Sequence, residues 1–337
     1  MNDKILLGHG SGGQMSHDLI KGLFVKYFHN KFLSPQSDSS ILPVQTEKIA
    51  FTTDSFVVDP IFFPGGDIGK LAIAGTVNDL AVSGAKPLYL SCSFIIEEGL
   101  PMETLEKIVR SMAGEAEKAG ILITTGDTKV VDKGKCDKIF INTTGVGELE
   151  PEYKDISSGA GIQPGDRIIL NGSIADHGMA IMAARNDLNI QSKILSDCAC
   201  LNGLIAEAMA AGKNIRFMRD ATRGGLGTVL SELAGGRKFG VQVEEDHIAV
   251  KENVRGICEL LGFDPIYVAN EGKVLMVAEK EDADKIVERM RKHPLGKETS
   301  VIGEITEDHP GKAWITTKIG GKRLIDMLAG EQLPRIC

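Results

Sequence analysis

A chain of 337 residues, 42% of them apolar, is long enough for two domains that each bury a core. Its 38 basic and 46 acidic residues leave a net charge of −8, which argues against nucleic acid or an anionic membrane as partner and suits a protein that gathers divalent cations. No segment reaches the apolar length of a membrane helix, and Met1 to Gly13 lacks the basic-then-apolar plan of a signal peptide, so a cytoplasmic chain with its six cysteines reduced is expected.

In chain order, residues 1–40 form a Gly-rich entry followed by a helical stretch over 17–28. Residues 49–58 read as a strand interrupted by a polar turn, and 67–84 as a helix stopped by Gly84. A strand at 88–96, a helix at 101–119 opened by Pro101 and closed by Gly120, and strands at 121–127 and 138–147 complete the first half. The Gly-, Pro- and Ser-rich stretch 151–165 is the expected boundary, separating a domain at 41–150 from one at 151–330. The second half predicts strands at 167–174, 273–279, 299–305 and 313–319, a short VQVEE strand, and helices at 176–186, 199–212, 228–234, 251–261 and 281–292. Strands and helices alternate in both halves, which defines a layered α/β or α+β class.

Residues 331–337 form a short tail, EQLPRIC, that ends in Cys337. Fully extended it reaches about 23–25 Å. It reads either as a frayed terminus or as a mobile thiol able to visit a cleft. Cys198 and Cys200 make a C-x-C pair with no second pair, which favours small core residues over a zinc site.

Three constellations carry chemistry. The cluster GHGSGG at 8–13 suits backbone anion binding but is neither a Walker loop nor a dinucleotide fingerprint, and alone it reads as a flexible loop. Asp38, Asp54, Asp79 and Asp127 each sit beside Ser, Thr, Gly or Asn, and Asp220 lies in the polar, Gly-rich loop RDATRGG. Singly they read as caps or turns; together they suit Mg²⁺, which takes a few carboxylates and completes its shell with phosphate and water. Lys129, two residues after Asp127, is placed to meet the same ligand, and Glu271 in ANEGK reads as a turn residue or a general base.

The series SDSSIL, TTDSF, GDIGKLAIAGTVNDLAVSGAKPLYL, TTGDTKV, RDATRGGLG and ANEGK resembles the ATP-binding enzymes related to aminoimidazole ribonucleotide synthetase and selenophosphate synthetase. With NDLAVSGAKP, TGDTKV and the terminal PRIC, it resembles more narrowly the HypE-type carbamoyl dehydratases of [NiFe]-hydrogenase maturation. The likeness runs from GHGSGG to Cys337, although Ser37-Asp38 keeps only the second carboxylate of the acidic pair usual in the superfamily.

The resemblance implies a two-domain PurM-like fold, with an N-terminal ATP-binding, dimerising domain, a C-terminal α/β sandwich and a flexible tail. It implies ATP and Mg²⁺ as cofactors, and a homodimer served by a HypF-type carbamoyltransferase and a HypC–HypD-type iron scaffold. It further implies ATP-dependent dehydration of an S-carbamoyl group on Cys337 to a thiocyanate, supplying the cyanide ligands of the iron centre. Lys129, Glu271 and His9 would assist that chemistry. Gly12, Gly13, Thr53, Asn78, Thr125, Gly126 and Asp127 would contact nucleotide, and Asp38, Asp54, Asp79, Asp127 and Asp220 would hold metal. Rival readings are another ATP-dependent synthetase of the superfamily acting on a free small molecule, or a non-catalytic maturation scaffold.

Overall fold

A computed structural model describes residues 4–11, 13–36, 39–185, 194–328, 330 and 333–337. Gly12 and Asp38, both named above, lie outside the described residues. Helix α1 (Gln14–Leu19) continues through a π turn at Ile20–Phe24 and a last α turn at Val25–Phe28. Phe24 and Phe28 of this run are buried, and Phe24 stacks on Phe94, which fastens the N-terminal segment to the first domain.

The first domain is a four-stranded sheet of β1 (Lys48–Phe56), β2 (Lys86–Glu97), β3 (Leu122–Val131) and β4 (Ile139–Leu149), in the spatial order β1-β4-β2-β3. Between β1 and β2 runs α2 (Ile68–Val82); α3 (Met102–Ala119) is the crossover that makes β2 and β3 parallel. Asp67 caps α2 by accepting from the amides of Gly69 and Lys70 at 2.7 and 3.1 Å. Thirteen of the fifteen residues of α2 are buried, because the helix is enclosed by the first sheet, by α3 and by the second domain. An apolar surface all round is what such an enclosed helix requires.

The polar Thr53-Asp54-Ser55 segment does not interrupt β1, which pairs with β4 from Lys48 to Phe56 without a break. The sequence expectation of a turn there is corrected: as an edge strand β1 offers its polar side chains room and partners, such as the Asn142 amide that reaches Thr53 and Ser55. Along β1 the side chains alternate. Phe56 and Asp54 face α2 at Gly75, while Phe51 and Thr53 face the other way.

The second domain follows the turns at 151–165. Its strands are β5 (Arg167–Leu170), β6 (Ile215–Asp220), β7 (Gly240–Glu244), β8 (Val274–Ala278), β9 (Ser300–Thr306), β10 (Ala313–Thr316) and β11 (Lys322–Ile325), in the order β11-β10-β7-β9-β5-β8-β6. Its helices are α4 (Asp176–Arg185), α5 (Asn202–Ala211), α6 (Gly225–Ala234), α7 (Glu252–Leu261) and α8 (Lys280–Arg291). β6 and β11 have no counterpart among the sequence expectations. β6 carries Arg216, Arg219 and Asp220 among its six residues, and these mask its alternation; pairing with β8 makes it a strand. Among the described residues no helix is long and apolar enough to cross a membrane.

Candidate active site

The acidic residues separate into two groups. Asp54 on β1, Asp79 in the last turn of α2, Asp220 at the end of β6 and Glu271 before β8 sit together where the two domains meet. Burial pushes the Asp220 carboxyl up to about 7, helped by Asp79 and Asp54. Burial raises Glu271 well above the carboxylate range, with Asp220, Asp197 and Asp54 adding repulsion. Burial also raises Asp79 and Asp54, and Arg223 in the RDATRGG loop is the cation that opposes it for both. Thr52 donates to Asp79 at 2.9 Å.

The loop bearing Glu271 is rigidly supported. Asn270 donates to the carbonyls of Ala221 and Val268, and its oxygen accepts from Ala175. Asp197 accepts from the amides of Glu271 and Gly272 and pairs with Lys273 at 3.3 Å in a buried ion pair. Burial raises the Asp197 carboxyl, but Lys273, His177 and the Glu271 amide overcome it, and the group lies below its ordinary range. Glu271 is thus fixed by structure on both sides of it.

Asp127 and Lys129 form the second group, on β3 at the far edge of the first sheet. Across the sheet Asp54 aligns with Thr143, Thr143 with Cys92, and Cys92 with Gly126. Three strand spacings of about 4.8 Å put β3 roughly 14 Å from β1. Asp127 and Lys129 pair at 2.8 Å, and this bond holds the Asp127 carboxyl below its ordinary range. They overlook a cavity of about 310 Å³ lined by His9, Phe24, Phe94, Thr125 and Gly126. His9 is buried, and its Nδ1 lies 2.9 Å from the Leu6 amide nitrogen. A Cβ at Gly126 would meet the Cys92 carbonyl oxygen at 2.2 Å, and one at Gly10 the Val130 nitrogen at 2.3 Å. These two glycines therefore permit close packing of backbone on backbone. Gly13 precedes α1, where a Cβ would meet nothing within 4 Å.

Two residues expected to contact nucleotide have protein partners here. The Asn78 amide is buried and joins the domains, donating to Ala199 and accepting from Leu201. Thr53 faces away from Asp54, bonded to the Thr143 carbonyl, Asn142 and Thr144. The described end of the tail is also docked where a flexible segment was expected. Val57 donates to the Cys337 carbonyl at 3.1 Å, and Leu333 and Ile336 are buried. Arg335 bonds Asp137 and the Val57 carbonyl. Val57 is three residues beyond Asp54, so the main chain of Cys337 lies about 10 Å along the strand from that carboxylate. His177, Arg185, Asp197 and Arg223 are the contributors that sequence reasoning missed. Arg223 alone had a signal, lying inside the RDATRGG motif.

Two domains, a carboxylate cluster at their seam with Glu271 buried and Asp54, Asp79 and Asp220 half-buried, and a polar-mouthed cavity define the class. Residues 36–149 match the N-terminal domain, and 163–315 the C-terminal domain, of AIR synthase related proteins. The chain is 48% identical to a carbamoyl dehydratase HypE of Rhizobium leguminosarum bv. viciae over all of its own length and 96% of the relative. It is 46% identical to that of Escherichia coli over 99% of its length and 100% of the relative. A crystal structure of the hydrogenase maturation protein HypE in complex with ATP superposes with a TM-score of 0.94 at 46% identity, covering 98% of this chain and 99% of that one. A HypE–HypF complex gives 0.79 at 46% identity, covering 92% and 99%. The chain belongs to the HypE family of carbamoyl dehydratases. A thiamine monophosphate kinase of Aquifex aeolicus, 17% identical over 91% of this chain and 97% of its own, shares the fold at a TM-score of 0.61.

Proposed function

We infer that this protein is an ATP-dependent carbamoyl dehydratase of hydrogenase maturation, and that Cys337 carries the group it dehydrates. The observation that supports the second point is the docked tail, which ties the Cys337 main chain to Val57 at the end of β1, about 10 Å along the strand from Asp54. A neighbouring carbamoyltransferase of the HypF type would load the thiol, in keeping with the HypE–HypF complex of a relative. In the reaction the carbamoyl oxygen attacks the γ-phosphorus of ATP and ADP leaves. Phosphate then departs as both N–H protons are removed, giving S–C≡N. The thiocyanate would pass to a HypC–HypD-type iron scaffold as the source of its cyanide ligands.

Glu271 is the proposed base. Burial and the neighbouring carboxylates raise its pKa, so the cluster by itself favours the protonated form. Cationic charge entering the cluster would lower that pKa and free the carboxylate to accept a proton, and the Asp197–Lys273 pair keeps it in place. Mg²⁺ suits the donor set on one ground: the half-buried carboxylates at Asp54, Asp79 and Asp220 repel one another, with Arg219 and Arg223 as the cations that oppose this. Among the described residues no three candidate ligands gather closely enough to hold a metal alone, so phosphate and water would have to complete the shell. Bound there, the ion would neutralise charge on the transferring phosphoryl group.

The cavity beside β3, with phenylalanines within and Gly126, Asp127 and Lys129 at its mouth, suits the base and phosphates of ATP. Thr125 and His9 line that space, and Gly13 precedes the helix whose Ser16 and His17 line it too. A homodimer through the first domain is favoured by the uncovered sheet face, where Phe51, Ile49 and Ile95 are 68%, 50% and 46% exposed. Asp127, Lys129 and Thr53 share that face. Two-fold pairing across it would bring the β3 edge of one chain towards the β1 edge of the other, uniting the two acidic groups.

The decisive experiment is mass spectrometry of the C-terminal peptide after incubation with ATP, Mg²⁺, carbamoyl phosphate and the carbamoyltransferase. A carbamoyl mass followed by loss of one water is expected on Cys337, and neither on Cys337→Ser, which should still bind ATP. A cyanated product from Cys337→Ser would overturn the reading.

A further inference from the structure

Three successive carbonyls of the tail are held by one helix. Arg185, the last residue of α4, donates from Nη1 to the Pro334 carbonyl and from Nη2 to that of Arg335, each at 2.9 Å. The same guanidinium donates from Nε and Nη2 to the Asp59 carbonyl at 3.0 and 2.7 Å, so it ties the tail to the first domain. At the other end of α4, His177 Nε2 lies 2.8 Å from the Ile336 carbonyl.

That carbonyl can only accept, so Nε2 carries the proton. Nδ1 is then satisfied at 2.8 Å by Ser196 Oγ, whose oxygen accepts from the Cys198 amide. His177 is fully buried and stands edge-on to Phe63. The eight-residue separation of His177 and Arg185 spans about 12 Å of helix. The tail therefore runs antiparallel to α4, with Cys337 leading past its N-terminal end. Gly178 makes the approach possible: a Cβ there would stand 3.1 Å from Leu333 Cδ1 and 2.4 Å from Val268 Cγ1.

We propose that His177 and Arg185 are positioning residues for the reaction, a two-point clamp on the tail main chain that sets the residence of Cys337 at the acidic seam. The clamp reads carbonyls and ignores the sulfur, so it holds the thiol, its carbamoyl form and its cyano form alike. Discrimination among these forms belongs to the carboxylate cluster. The clamp must open for the thiol to be loaded by another protein and must close for dehydration, so its loss acts oppositely on the two half-reactions. This rests on the reading of Cys337 as carrier, but docking is measurable without substrate.

The test is the rate of maleimide labelling of Cys337 in the full chain, read on the C-terminal peptide, with buried Cys92 remaining unlabelled as the control for an intact fold. His177→Ala is expected to raise the rate about fivefold, the effect of one hydrogen bond, and Arg185→Ala, which loses two tail bonds, by more. His177→Gln, which keeps an N–H donor, should return the rate towards wild type. In single-turnover assays Arg185→Ala should slow dehydration of a preloaded tail while loading by the carbamoyltransferase is unchanged or faster. Wild-type labelling rates in both alanine variants would overturn the proposal, as would equal losses in loading and dehydration; should Arg185→Ala not fold, His177→Ala carries the same two readouts. A wild-type tail that never gains a carbamoyl mass would instead overturn the carrier reading and leave the labelling result standing.

Discussion

At the scale of single residues, the chemistry lies in carboxylates that the fold makes uncomfortable. Asp220, pushed up to about 7, and Glu271, raised well above the carboxylate range, hold protons in the folded chain that the unfolded chain loses near pH 4. Between those values the native state binds more protons, so this cluster makes stability fall as pH rises from about 4 to 7. Thermal unfolding of the nucleotide-free protein should show that slope, and Asp220→Asn should flatten it. Glu271→Gln removes the proposed base and one member of the repelling cluster. Dehydration should fall by a factor of 100 or more while ATP affinity stays within about threefold and Tm is unchanged or higher. A large loss of ATP affinity would move Glu271 from proton transfer to nucleotide binding.

At the scale of elements, position comes from how ends are made. α2 carries Asp79 into the cluster from its last turn, and its start is fixed by the Asp67 cap. Asp67→Ala should cost about 1 kcal/mol, visible as a Tm lower by about 2 °C, with little change in the site at saturating ATP. A far larger loss would mean that the cap also holds the seam between domains. The helices at 68–82 and 102–119 were legible because they are long, bounded by Asp67, Pro101 and Gly120, and built from helix-forming residues. β1 was read with a break and β6 was missed because edge strands carry polar residues on open faces, which blurs the period of two.

At the scale of the whole molecule, the uncovered sheet face is the feature to test. Phe51→Glu puts a charge on the proposed pairing surface, so sedimentation should show single chains where the wild type shows pairs, with ATP turnover falling in step. A variant that stays paired would place the interface elsewhere. The sequence by itself determined the alternation of strands and helices, the fold class and the family likeness, and it nominated Glu271, Cys337 and the aspartates as candidates. Those follow from local pattern and from short motifs. Only the tertiary structure decided that Asp127 lies three strands from Asp54, that Asn78 bonds across the domain seam, and that Arg185 and His177 grip a tail 150 residues further along the chain. Strand order, the facing of a side chain and a hydrogen bond to a distant carbonyl depend on how separated segments pack, and no local spacing of residues encodes them.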